Sequence, residues 1–136
     1  YTNKNFDIET NGTISVNEEI LRSNNVNFVI SPKFNVEQVK EIEGATIPIL
    51  LNQLIDKNID KYIVKFLFDN KEDLDEILKL KDLLNLDAAR IWVQPIGVNK
   101  DVLMEKIKNN YVFILQNRFN VSFRLHCWLF GNKKGV

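Results

Sequence analysis

Two kinds of segment alternate along this chain of 136 residues, and the alternation limits the folds that it can adopt. Five short apolar runs, several rich in Val, Ile and Phe, have the length of β-strands and lie at 5–9, 27–30, 61–68, 90–93 and 121–125. Segments with helical spacing lie between them. One places Leu74, Ile77, Leu78 and Leu84 on a single face, and a later one does so with Val102, Leu103, Ile107, Tyr111 and Leu115.

Alternating strands and helices predict an α/β fold in which parallel strands are joined by right-handed crossovers. Such a sheet is either doubly wound or part of a (β/α) barrel, and five strands are too few to close an eight-stranded barrel. Residues 36–60 are predicted to form a helical crossover, although Gly44 and Pro48 interrupt its periodicity. We expect a single domain over residues 1–136.

The ends of the two clearer helices carry the expected local signals. Acidic residues cluster early in the first helix and lysines follow, which is the arrangement that a helix dipole favours. These residues are Glu72, Asp73, Asp75 and Glu76, then Lys79 and Lys81. Asn99 is placed to cap the second helix, with Asp101 in its first turn.

Composition argues against several classes of function. Eighteen basic residues balance eighteen acidic ones, so we expect no nucleic-acid or anionic membrane partner. No apolar run approaches the roughly 20 residues that span a bilayer, which predicts a soluble, cytoplasmic protein. With one histidine and one cysteine, the sequence offers no zinc or histidine-ligated iron site and no intrachain disulfide.

Polar or conformationally special residues follow each predicted strand. In parallel α/β folds, ligands bind beyond the carboxyl ends of the strands, so these residues are candidates for one binding rim. They are the motif Glu-Thr-Asn-Gly-Thr at 9–13, Ser-Pro-Lys at 31–33, Asp-Asn at 69–70, Gln-Pro-Ile-Gly at 94–97, and His126.

Each candidate also has a structural interpretation. Asn-Gly and Ser-Pro are common turn pairs, and a lone histidine in apolar company is often a core residue. Cys127, next to His126 in the sequence, is most simply interpreted as a small buried hydrophobe. Gln94 is harder to dismiss, because a primary amide at the end of a buried strand needs partners.

In this order, the motifs at 9–13, 31–33 and 94–95 and the ending Leu-His-Cys-Trp-Leu-Phe-Gly-Asn-Lys-Lys-Gly-Val at 125–136 resemble the 7-carboxy-7-deazaguanine synthase family. Its members are radical S-adenosylmethionine (SAM) lyases of queuosine and deazapurine biosynthesis. The resemblance covers residues 6–136 and corresponds to the C-terminal part of the family. It implies a partial (β/α) barrel of the radical SAM type, and full-length members form homodimers.

The resemblance also implies roles for individual residues. Contacts with SAM would come from the motif residues Gly12, Ser31, Pro32, Lys33, Gln94 and Pro95. Contacts with the substrate, 6-carboxy-5,6,7,8-tetrahydropterin, would come from Thr10, His126 and the α-carboxylate of Val136. The implied reaction is a magnesium-assisted radical ring contraction to 7-carboxy-7-deazaguanine.

One departure from the family pattern limits this expectation. The family holds a [4Fe–4S] cluster on three cysteines near its N-terminus, whereas this chain has a single cysteine, Cys127, near its other end. Three explanations stay open: the chain is the C-terminal part of a longer enzyme, as its start at Tyr1 next to a predicted strand favours; a second chain supplies the cluster; or it is a truncated, noncatalytic binding or scaffold domain.

Two further classes have less support. A nucleotide-binding α/β domain or a regulatory module would fit the composition. The sequence contains neither the Gly-x-x-x-x-Gly-Lys-Ser/Thr run nor the Gly-x-Gly-x-x-Gly run that cradles phosphates in such domains.

Overall fold

A computed structural model describes residues 4–33, 49–131 and 133. The strands are β1 (Phe6–Thr10), β2 (Val26–Ile30), β3 (Tyr62–Phe68), β4 (Ile91–Pro95) and β5 (Asn120–Val121). The helices are α1 (Glu18–Arg22), α2 (Ile49–Asp56), α3 (Lys71–Leu83), α4 (Lys100–Gln116) and α5 (Leu125–Phe130), with a 3₁₀ turn at Ala88–Arg90. The alternation of strands and helices is confirmed. Of the predicted crossover at 36–60, α2 is a helix, whereas Gly44 and Pro48 lie outside the described residues.

The strands form one five-stranded sheet in the order β1-β2-β3-β4-β5. The pairs β1–β2, β2–β3 and β4–β5 are parallel. The spatial order follows the chain order without reversal, whereas the strand order of a doubly wound sheet reverses at a switch point. The α/β class is confirmed, and the described strands do not close into a barrel.

By their internal contacts, the residues fall into two compact units, Tyr1–Lys65 and Phe66–Val136. The prediction of a single domain stays a prediction. In the described part of the first unit, buried apolar side chains come from both strands and helices: Leu21, Val26, Phe28, Ile30, Leu50, Leu51, Leu54 and Val64.

The strands of the first unit have one apolar and one polar face. Along β2, Val26, Phe28 and Ile30 are buried, whereas the alternate residue Asn27 is exposed. Glu9 lies beside Val29, and Val29 lies beside Ile63 in the register of the sheet. Because side chains alternate along a strand, Lys65 shares that second face, and its Nζ lies 3.4 Å from Glu9 Oε1. Within the described ranges, this second face therefore carries charged as well as apolar side chains.

In the second unit, the buried side chains of α3 confirm most of its predicted apolar face. Leu74, Ile77 and Leu80 are buried, and Leu84 is buried just beyond the helix end. The predicted face of α4 is wrong in part. Tyr111 and Leu115 are 55% and 69% exposed, whereas Leu103, Asn110 and Ile114 are buried. Asn110 is tolerated there because its Nδ2 donates a hydrogen bond to Lys106 O over 2.9 Å.

The fifth predicted strand, at 121–125, is also wrong in its second half. β5 ends at Val121, and α5 begins at Leu125. The last bond of the pairing between β4 and β5 runs from Ser122 N to Val93 O over 2.9 Å. The apolar run that follows is therefore helical, a distinction that periodicity cannot make over so few residues. Among the described residues, no helix is both long and apolar enough to cross a bilayer.

Local capping chemistry explains where α3 and α4 begin. Asn70 Oδ1 accepts from Asp73 N over 3.0 Å, and the Asp73 carboxylate in turn accepts from Asn70 N, which completes a capping box. Asn99 Oδ1 accepts from Val102 N over 3.0 Å, which confirms the predicted cap. Both caps satisfy amide groups that the first turn of a helix leaves without partners.

Replacing Asn70 with alanine is expected to lower the free energy of unfolding by about 1 kcal/mol, because the first turn of α3 loses its side-chain acceptor. Chemical denaturation checks this value. Asn109→Ala is the matched control, because Asn109 is exposed inside α4 and alanine favours a helix. Equal losses in the two variants would contradict the role of the cap.

Glu18 joins the first helix to the chain that follows α2. Its carboxylate accepts hydrogen bonds from Lys57 Nζ over 2.5 Å and from Arg22 Nε over 2.8 Å. These bonds, that from Lys57 first, hold the pKa of Glu18 below its ordinary value of 4.5. The pair therefore adds stability that is present above that value and is lost as the pH falls through the lower, folded-state pKa.

A Glu18→Gln variant is thus expected to approach the stability of the wild type as the pH falls from about 5 to 3, because protonation removes the same charge from the wild type. The measurement is urea denaturation at several pH values in that range. A difference between the two proteins that does not shrink on acidification would show that the ion pairs do not contribute.

Candidate functional site

The chain that leaves β1 folds into a tight turn held by its own side chains. Gly12 is buried with a φ of 78°, a conformation that residues with a Cβ atom avoid. Its N–H donates to Thr10 Oγ1 over 3.0 Å, and its carbonyl accepts from Leu50 N at the start of α2 over 3.1 Å. The Asn-Gly turn is confirmed as a structural feature, and the hydroxyl hydrogen of Thr10 is left to donate elsewhere.

Ser31 lies next to this turn, just beyond the end of β2. Its N–H donates to Thr10 O over 2.7 Å, and its Oγ donates to Lys65 O over 3.2 Å. Pro32 is buried and Lys33 is exposed. The first unit therefore brings Thr10, Gly12 and Ser31 into one hydrogen-bonded cluster, and Lys33 follows that cluster two residues later.

Gln94 carries the polar group of the second unit that most needs an explanation. It lies in β4 and is only 8% exposed, which confirms that the amide is buried at the end of the strand, next to the buried Pro95. Its Oε1 accepts from Ser122 Oγ at 3.5 Å. That distance is at the limit of a hydrogen bond and satisfies the amide weakly.

Other polar groups at the strand ends of the second unit have structural roles. Lys106 Nζ donates to both Asp69 Oδ1 and Ile96 O. A Cβ atom on Gly97 would lie 2.9 Å from Leu103 Cδ2, so a glycine lets this loop pack against α4. Asp69 and Asn70 therefore fix the loops, and nothing in their contacts points to a ligand.

His126 does not lie at a strand exit as predicted, because it belongs to α5. It is exposed, so the alternative of a core histidine is also wrong. Its ring lies 6.0 Å from that of Phe130. Cys127 is free and buried, as its interpretation as a small hydrophobe predicts. Val136 lies outside the described residues.

The C-terminal helix packs through its tryptophan. The Lys100 ammonium lies 5.2 Å from the centre of the Trp128 ring, within the range of a cation–π contact. Phe123 lies 6.3 Å from the same ring. The indole Nε1 is buried, and within the described ranges it has no hydrogen-bond partner.

The described residues contain no group of three His, Cys, Asp or Glu side chains that could hold a metal ion. For a [4Fe–4S] cluster the sequence decides the question, because it contains one cysteine and ligation needs several thiolates. The residues present therefore do not fit the cluster.

Sequence reasoning missed three functional or structural pairs. The Glu9–Lys65 ion pair joins β1 to β3, and the Asp69–Lys106 pair joins a loop to α4. In the third pair, Ser122 faces Gln94. Each pair is more than 25 residues apart in the chain, and no local pattern marks it.

No family model matches this chain, and neither the curated proteins nor the solved structures contain a match to it.

Proposed function

We propose that this chain is the SAM- and substrate-binding C-terminal part of a 7-carboxy-7-deazaguanine synthase. The complete radical SAM lyase would convert 6-carboxy-5,6,7,8-tetrahydropterin to 7-carboxy-7-deazaguanine. One observation carries the proposal: the residues that the resemblance assigns to SAM include Gln94, a nine-tenths buried side chain whose Oε1 accepts a long hydrogen bond, of 3.5 Å, from Ser122 Oγ.

The strand order supports the partial-barrel fold that this proposal requires. A (β/α) barrel places successive parallel strands side by side in chain order. The order β1-β2-β3-β4-β5 follows that rule. The Glu9–Lys65 ion pair on one face of the first unit also suits a barrel, whose inner face is lined by side chains that meet a ligand near its mouth.

The strand ends of the first unit suit the zwitterionic methionine end of SAM. Gly12 lets the backbone turn closely, the Ser31 hydroxyl keeps its acceptor lone pairs, and the Lys33 ammonium is exposed. An ammonium and a hydroxyl complement a carboxylate and an amine, the groups at the methionine end of SAM. In this proposal Pro32 and Pro95 shape the backbone at the two strand ends, and Thr10, His126 and the Val136 carboxylate meet the pterin.

Because this chain lacks the cysteines that would ligate the cluster, we also consider a second function. Because Cys127 cannot ligate a cluster alone, the residues of this chain do not start a radical reaction by themselves. A noncatalytic binding or scaffold domain derived from the family would keep the ligand groups without turnover. A longer native chain or a separate partner chain would instead supply the cluster, and the complete enzyme would be a magnesium-dependent homodimer.

The test of the binding site is calorimetric titration of SAM into the 136-residue chain and its variants. We expect Lys33→Ala to weaken binding by about tenfold, because a charge-assisted hydrogen bond is lost, and Gln94→Ala by about fivefold. Lys108→Ala and Gln116→Ala are matched controls, because both side chains are exposed on α4. Unchanged affinity in both site variants would overturn the proposed site.

The intact mass and the iron content of the native protein distinguish the enzyme from the noncatalytic domain. The intact mass of the native protein is measured first, and its iron content is measured after anaerobic reconstitution. A longer chain that binds iron supports the enzyme, whereas a native chain of 136 residues that binds SAM without iron supports the noncatalytic domain.

A further inference from the structure

Gln94 and Ser122 face each other across β4 and the end of β5. The register pairs Trp92 with Asn120 and Val93 with Val121, so the next pair in this parallel ladder is Gln94 and Ser122. The ladder ends with the bond from Ser122 N to Val93 O over 2.9 Å, which holds Ser122 beside the end of β4. Both side chains therefore lie on the same face of the sheet.

The arrangement fixes the polarity of the Gln94 amide. The Ser122 hydroxyl donates to Oε1, which leaves the amide hydrogens on the other side of the group. A buried amide that presents its hydrogens recognises an acceptor, such as a ring nitrogen or a carboxylate oxygen. At 3.5 Å the contact is at the limit of a hydrogen bond.

We propose that Ser122 is a positioning residue for ligand binding: its hydroxyl orients the buried Gln94 amide so that the NH₂ group donates to an acceptor atom of the ligand. This inference rests on the proposed role of Gln94 in binding SAM and adds a residue that no sequence motif marks. Asn120 cannot do the same, because its Nδ2 donates to Ala89 O over 2.8 Å and to Ile91 O over 3.2 Å.

The test is a double-mutant cycle in which SAM affinity is measured by calorimetry. Ser122→Ala is expected to weaken binding about three- to fivefold, and Ser122→Thr, which keeps the hydroxyl, to restore most of it. In a Gln94→Ala background, Ser122→Ala is expected to change the affinity less than twofold, because the group that it orients is gone.

A second measurement needs no ligand. In a ¹⁵N-correlated NMR spectrum, the side-chain amide signals of Gln94 should shift in Ser122→Ala and return towards their original position in Ser122→Thr. Signals that stay unchanged in both variants, or equal losses of SAM affinity with and without Gln94, would overturn the positioning role.

The outcomes also separate this inference from the proposed function. If Gln94→Ala weakens SAM binding and Ser122→Ala does not, the proposed function stands and the positioning role fails. If neither Gln94→Ala nor Lys33→Ala affects SAM binding but Ser122→Ala moves the Gln94 signals, the two residues interact and SAM is the wrong ligand, which overturns the role stated here.

Discussion

Replacing Phe68 with alanine is expected to lower the free energy of unfolding by about 3–5 kcal/mol, the largest effect of any substitution considered. Phe68 is the last residue of β3, and its side chain is fully buried. Truncation removes the apolar surface that the ring buries and leaves a cavity that a packed core fills only in part. Urea denaturation followed by circular dichroism measures the loss.

The preceding residue supplies the control for this prediction. Leu67 lies on the opposite face of β3 and is 43% exposed, so Leu67→Ala is expected to cost less than about 1.5 kcal/mol. Similar losses in the two variants would mean that the two faces of β3 do not differ in burial as the structure shows. A large loss in Leu67→Ala alone would reverse the assignment of the buried face.

Replacing Gly12 with valine is expected to lower the free energy of unfolding by about 2 kcal/mol, because a β-branched residue resists the left-handed conformation that Gly12 adopts. The chain has no simple way to relieve this strain. The Gly12 N–H and carbonyl are both hydrogen-bonded, to Thr10 Oγ1 and to Leu50 N. Thermal and urea unfolding both report the loss.

Thr13→Val is the matched control, one residue further along the same turn. It introduces the same side chain at an exposed position and removes a single exposed hydrogen bond, from Thr13 Oγ1 to Asn11 Oδ1 over 2.9 Å. We expect it to change the stability by less than about 0.5 kcal/mol. If Gly12→Val were as mild as this control, the turn after β1 would not require a glycine.

Site residues could be predicted where a single chain segment supplies the signal. The burial of Gln94 follows from its place between Val93 and Pro95 in an apolar strand, and the turn at Gly12 follows from the Asn-Gly pair. The secondary structure around His126 could not be predicted, because the residues next to it are apolar and a short apolar run fits a strand and a helix equally well. Ser122 became a candidate only when the sheet register set it opposite Gln94.

The sequence by itself determined the starts of α3 and α4, the approximate strands and the α/β class. Asn70 and Asn99 cap their helices through bonds that span three residues, and such short-range chemistry is written in the local sequence. The limits of β2, β3 and β4 likewise follow from runs of β-branched and aromatic residues, to within two residues.

Only the tertiary structure decided the strand order, the buried face of α4 and the helical form of residues 125–130. Apolar residues lie on several sides of α4, so its packing partner selects Leu103 and Ile114 for burial and leaves Leu115 exposed. Strand order and burial depend on contacts between residues far apart in the chain. Local propensity is nearly equal for the alternatives, and the free energy of packing chooses between them.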